Sequence, residues 1–81
     1  MYPRGGVVYV RRAPPAEHID VIISAPAPGY VWVRGRWEWH TANFTWVPGV
    51  WVMLPPGRTV WVDGRWRQDR YGWYWLDGYW R

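Results

Sequence analysis

Residues 30–37 read YVWVRGRW, and the pattern inside them, Trp-x-x-Gly-x-Trp, decides the fold. It recurs as TWVPGVW, VWVDGRW and YWLDGYW, placing Trp at 32, 46, 61 and 75, Gly at 35, 49, 64 and 78, and Trp again at 37, 51, 66 and 80. A repeat this short is one supersecondary unit, unable to bury a face alone and obliged to pack on its neighbours. Each block reads as a β-hairpin. Asp63-Gly64 and Asp77-Gly78 carry type I′ signals, because both central residues of that turn need positive φ. Arg34-Gly35 is a weaker signal of the same kind, and Pro48-Gly49 favours a type II turn, since Pro fixes φ near −65° at the first central position. Gly35, Gly49, Gly64 and Gly78 are therefore expected to be turn residues. Two-residue turns there would set Trp32 across from Trp37, Trp46 from Trp51, Trp61 from Trp66 and Trp75 from Trp80.

The segments between blocks follow the same arithmetic. If Trp37 pairs with Trp46, then Trp39 meets Phe44, His40 meets Asn43, and Thr41-Ala42 is a two-residue turn. If Trp66 pairs with Trp75, Gln68 meets Trp73 about Arg70-Tyr71. A Trp51 to Trp61 pairing leaves LPPGR (54–58) as the connection. The expected fold is thus all-β, an antiparallel meander of about eight short strands built from four W-x-x-G-x-W hairpins in an open twisted sheet, with a small barrel as the alternative. Its register would align eight indoles in one row, beside a second row of Tyr30, Trp39, Phe44, Met53, Thr59, Gln68 and Trp73. The opposite face would collect Val31, Val33, Arg36, Glu38, Val47, Val50, Val52, Val60, Val62, Arg65, Arg67, Leu76 and Arg81.

Residues 1–29 read as a Pro-rich lead-in, and residues 30–81 as the repeat domain. VVYV (7–10) and IDVII (19–23) are β-branched runs expected to form short strands between Pro-rich spacers.

Composition sets the energetic frame. With 81 residues, the chain forms one small domain in which a single core is only marginally sufficient. No cysteine is present, so neither a disulfide nor a thiolate metal site is available. Ten Trp, six Tyr and one Phe are the evident source of apolar burial. The net charge of +4 favours acidic over basic partners, while the use of Arg for every basic residue is more readily the product of a GC-rich coding bias than of selection for the guanidinium group. No apolar run reaches the ~18 residues of a membrane-spanning helix, and the opening MYPRGG lacks the basic and apolar regions of a secretory signal.

The four blocks, preceded by APAPGYVWV, resemble the repeats of bacterial YXWGXW or WXXGXW repeat proteins over residues 25–81. The resemblance implies an exported, often lipoprotein-like protein of the periplasm or cell envelope, of undefined activity. This chain has no cysteine to serve as a lipid-anchor site.

Catalytic material is scarce: one Ser (Ser24) and two His, His18 within EHID and His40 beside a turn. Glu17, His18 and Asp20 form a loose metal-ligand set, a pattern more often solvated than coordinating. Glu38 and His40 read as a surface pair, and Asp63 and Asp77 as turn residues. No cofactor and no enzymatic activity are expected. The expected function is a structural or interaction module, with Trp32, Trp37, Trp39, Trp46, Trp51, Trp61, Trp66, Trp73, Trp75 and Trp80 as the binding or self-association face. Its partners would be a second copy, an envelope protein or an envelope polysaccharide. A glycan-binding module using exposed Trp39 and Trp73 is the alternative. Single-stranded nucleic acid is a weaker fit, because the strand arginines fall on the face opposite the indoles.

Overall fold

The computed structural model describes residues 7–18 and 20–81, which contain no helix. Eight short strands run β1 (Tyr30–Val33), β2 (Arg36–His40), β3 (Asn43–Val47), β4 (Val50–Met53), β5 (Trp61–Val62), β6 (Arg65–Asp69), β7 (Gly72–Leu76) and β8 (Tyr79–Trp80). All pairings are antiparallel, and the strands do not close into a barrel. The all-β, eight-strand, open reading holds.

The positions of the turns differ from expectation. β1 pairs with β4 (Tyr30↔Met53 to Val33↔Val50), β2 with β3 (Arg36↔Val47 to His40↔Asn43), β5 with β8 (Trp61↔Trp80, Val62↔Tyr79) and β6 with β7 (Arg65↔Leu76 to Asp69↔Gly72). The register is the same on both sides of each interruption, so β1–β4 make one long ribbon (hairpin A) and β5–β8 another (hairpin B). The chain reverses at Thr41-Ala42 and at Arg70-Tyr71, as the register arithmetic foretold. It does not reverse at the repeat glycines. The expected facings of Trp32 with Trp37, Trp46 with Trp51, Trp61 with Trp66 and Trp75 with Trp80 do not form, nor does Trp51 pair with Trp61. The single eight-stranded sheet is replaced by four two-stranded sheets in two ribbons.

Backbone angles agree. Gly35, Gly49, Gly64 and Gly78 lie outside the positive-φ region; among the described residues that region holds Gly29, Gly57, Gly72 and Thr41 (φ 56°). Thr41 sits where the Ala42 N–H donates back to His40 O at 2.6 Å. The type II geometry sought at Pro48-Gly49 is found instead in Pro55-Pro56-Gly57-Arg58, where Gly57 has φ 74° and Arg58 N–H donates to Pro55 O at 3.2 Å.

The interruptions reset the pleat. In hairpin B, Trp73 and Val10 exchange both backbone hydrogen bonds (2.7 and 2.8 Å), so the polar groups of Trp73 point away from β6. Gln68↔Trp73 is therefore a non-hydrogen-bonded pair, and by alternation so is Trp66↔Trp75. At the far end Val60 and Arg81 exchange both bonds (2.8 and 3.3 Å), which makes Trp61↔Trp80 non-hydrogen-bonded as well. Five steps lie between the two indole pairs, and in an unbroken ladder an odd number would change the pair type. The phase consequently slips by one at residues 63–64 and 77–78. Non-hydrogen-bonded positions of a two-stranded ribbon share a face, so the slip keeps both indole pairs on one side. Hairpin A behaves alike: Leu54 N–H donates to Gly29 O, and Trp37 O faces out of the ladder to accept from Trp66 Nε1 at 2.8 Å.

The lead-in ties the ribbons together. Val10 makes a one-residue bridge to Trp73, the part of the expected 7–10 strand that forms. Tyr9 Oη donates to Asp69 at 2.7 Å, and its ring packs on Tyr71 and Tyr74. Arg12 then reaches the tip of hairpin A, donating to Ala42 O at 3.0 Å. The second expected strand is absent: residues 20–23 have no ladder partner, and Val21, Ile22 and Ile23 are exposed; Ile19 and residues 1–6 lie outside the described residues.

The core is minimal. Val10 and Tyr74 are the buried hydrophobic residues, and no described side chain is less than 2 % exposed. The accessible surface is 6332 Å² and the radius of gyration 15.0 Å. A compact 9.8 kDa chain would show about 5,200 Å² and about 12 Å. The extents of 47 × 28 × 18 Å describe an elongated, open body.

Candidate aromatic interface

Each repeat block is explained by the block across the ladder. The four cross-strand indole pairs are Trp32–Trp51 (centroids 5.3 Å), Trp37–Trp46 (5.3 Å), Trp61–Trp80 (5.1 Å) and Trp66–Trp75 (5.7 Å), all edge-to-face or tilted at 59–67°. Aromatic pairs favour such angles, because a positive ring edge meets a negative ring face. In every pair the first Trp of one block meets the second Trp of its partner block.

The first Trp also lies on the partner block's glycine. A Cβ built on Gly49 would fall 2.8 Å from Cε2 and 2.9 Å from Cη2 of Trp32, and closer still to Cζ2. Trp46 occupies the same place over Gly35, Trp75 over Gly64 and Trp61 over Gly78. The glycines are thus required for close approach of a ring to the backbone and not for a turn conformation. The motif is a reciprocal clasp: two antiparallel blocks each supply a glycine platform and a ring to cover the other's.

Indole N–H groups are satisfied differently in the two ribbons. In hairpin B, Trp61 Nε1 donates to Asp63 Oδ1 at 2.8 Å and Trp75 Nε1 to Asp77 Oδ1 at 2.9 Å, each acceptor two residues along its own strand. Asp63 and Asp77, expected in turns, are indole acceptors beside the phase slip. Hairpin A has Arg34 and Pro48 at those positions, and there the lead-in supplies acceptors to a different indole, the second Trp of each block. Trp37 Nε1 donates to Ala16 O at 3.2 Å, Trp51 Nε1 to Ile23 O at 3.0 Å, and Gly35 N to Asp20 Oδ2 at 2.8 Å. His18 stacks on Trp46 (4.7 Å, 27°) and meets Trp37 edge-on (5.0 Å). Glu17 pairs with Arg34. Glu17, His18 and Asp20 are therefore each engaged with hairpin A, and the described residues hold no group of three side chains suited to a metal.

All ten Trp are half-buried. Trp39 packs on Phe44 (5.0 Å) and carries the Arg12 guanidinium over its ring at 5.2 Å; Trp73 is held by its bridge to Val10. Phe44 in turn meets Trp66 at 5.4 Å, joining the ribbons. On the other side of hairpin A, Arg36 donates to Glu38 through Nε (3.1 Å) and Nη2 (2.6 Å), and His40 Nε2 lies 3.0 Å from Glu38 Oε1. The Arg36 hydrogen bond holds the Glu38 carboxyl below its ordinary value, with His40 adding to the effect and partial burial opposing it. Sequence reasoning singled out the ten indoles and four glycines. It names Tyr9 and Val10 only as strand residues and Asp20 only in a loose metal-ligand set, and misses their contacts with Asp69, Trp73 and Gly35, because those partners are distant in sequence and follow no repeat.

Residues 28–52 and 60–81 match the family model described as WXXGXW repeat (2 copies). Each match corresponds to one long hairpin with its two facing blocks. No curated protein and no solved structure matches the chain.

Proposed function

The chain belongs to the WXXGXW repeat family, and on that premise we propose that it is a non-enzymatic interaction module of the bacterial cell envelope that associates with further copies of itself through its indole ribbons. One observation carries this reading. A chain with ten tryptophans buries none of them fully and exposes about 1,100 Å² more surface than a compact protein of its mass. Contact with another copy offers the apolar burial that the isolated ribbons lack. Each two-stranded ribbon has two outer edges, and most of their length carries no further strand. Val50, Met53, Val60 and Tyr79 add exposed apolar surface along those edges. The envelope placement is supported by the family resemblance alone. Among the described residues no helix is long and apolar enough to cross a membrane.

Sedimentation velocity at low and high salt tests the reading. The net charge of +4 gives like-charge repulsion that salt screens, so assemblies should grow with both concentration and ionic strength. A single monomeric species over a hundredfold concentration range would refute it.

A further inference from the structure

Between the two ribbons lies a groove of about 490 Å³. Hairpin B borders it with Trp61, Trp75, Asp63 and Asp77, and hairpin A with Arg34 and Arg36. Its electrostatics run against the chain's net charge of +4. Both arginines are neutralised, Arg34 by Glu17 and Arg36 by Glu38. The aspartates have no cationic partner among the described residues. Each accepts an indole N–H through Oδ1, which does not cancel its charge and leaves Oδ2 without a hydrogen bond there. An indole face is the negative part of its quadrupole, so a cation stacked on either ring is attracted to it. Trp61 and Trp75 each rest on a glycine, Gly78 and Gly64, and also border the groove. Two carboxylates without a cationic partner among the described residues, two ion-paired arginines and three indoles, Trp80 being the third, therefore line one concave surface.

We propose that this groove binds an organic cation, an alkylammonium or guanidinium group, seated against the indoles with its charge facing Asp63 and Asp77. Phosphates and carboxylates are repelled by the same pair. A neutral saccharide would use the rings and hydrogen-bond the carboxylates, but would not depend on their charge. That difference separates the two ligand classes.

The test is a choline titration of the full chain, followed by the indole N–H resonances of Trp61 and Trp75. Its neutral isostere, 3,3-dimethylbutan-1-ol, and methyl β-glucoside are titrated alongside. Choline should shift both resonances saturably, with half-saturation on the order of millimolar, and the isostere should bind at least about tenfold more weakly. Asp63→Asn with Asp77→Asn keeps the amide oxygens that accept the indole N–H groups while removing both charges. It should weaken choline by at least about tenfold and leave the melting temperature and the other indole resonances in place. Should the double variant fail to fold, Asp77→Asn alone, at an exposed position, gives the same comparison. Equal binding of choline and its isostere would overturn the proposal. So would undiminished choline binding by the variants, glucoside binding in preference to choline, or no shift up to about 50 mM choline.

Discussion

Replacing Gly49 with Ala separates a platform glycine from a turn glycine by the sign of one measurement. The three atoms nearest to an added Cβ all belong to the Trp32 ring, two of them at 2.8 and 2.9 Å and the third closer. Carbon atoms pack favourably at about 3.5–4.0 Å, so the ring must move by roughly 1 Å and lose part of its contact with Trp51. Overpacking of this kind costs about 1–3 kcal/mol, or about 5–20 °C in melting temperature for a domain of this size. The backbone adds no penalty, because Gly49 lies outside the positive-φ region. In a Trp32→Val background the obstacle is gone. Gly49→Ala should there stabilise by about 0.5 kcal/mol, through the reduced freedom of the unfolded chain. The double-mutant cycle, read from urea unfolding followed by circular dichroism, should return a coupling of about 1.5–3.5 kcal/mol. An equal penalty in both backgrounds would refute the clasp and restore a turn role for the glycine.

Gly64→Ala should cost more than Gly49→Ala and keep part of its penalty in a Trp75→Val background, because the added Cβ also meets Leu76 O at 2.6 Å and the Gly78 N at 2.8 Å, backbone atoms that no side-chain truncation removes; the same unfolding series measures it. Thr41→Gly should stabilise by about 1 kcal/mol, since a β-branched residue is held at φ 56°, and a raised urea midpoint with unchanged m-value checks it. Glu38 has a lowered folded-state value, so its contribution is present above its unfolded value of about 4.3 and is lost as pH falls through the folded one; Glu38→Gln should flatten that part of the stability profile below about pH 4.5. Asp20→Ala should expose Gly35 N–H to exchange while leaving the amides of the hydrogen-bonded Arg67–Tyr74 pair in hairpin B protected, as read by amide hydrogen exchange.

The strand content was legible because alternating aromatic and β-branched residues between Gly and Pro leave few other structures open. The reversals at Thr41-Ala42 and Arg70-Tyr71 were legible too, from the requirement that Trp37 meet Trp46 and Trp66 meet Trp75. The error at the repeat glycines has a physical cause. Asp-Gly before a Trp is the local signature both of a turn needing positive φ and of a backbone that must admit a ring, and short-range signals do not separate the two. An indole spacing of five fits a cross-strand pair about a two-residue turn, and a phase slip in a continuous strand equally keeps both rings on one face without turning the chain. Asp63 and Asp77 were placed in turns for the same reason. The seating of His18, Asp20 and Ile23 on hairpin A depends on contacts 15–28 residues away in sequence, which no periodic pattern encodes.

The central claim, that each block pairs with the next block across a distant turn, is tested most directly by engineered disulfides, for which the cysteine-free chain is well suited. Val33 and Val50 face each other in the β1–β4 ladder, at a Cα separation of about 5.5 Å or less that a disulfide spans. Val33 and Arg36 would face each other only if the chain turned at Arg34-Gly35. Along one continuous ribbon strand they are about 10 Å apart, beyond disulfide reach. Val33→Cys with Val50→Cys should oxidise quantitatively to an intramolecular disulfide, seen by mass spectrometry after proteolysis, with a higher melting temperature. Val33→Cys with Arg36→Cys should remain reduced under the same conditions. The opposite outcome, ready closure of 33 to 36 and none of 33 to 50, would contradict the paired-block ribbon.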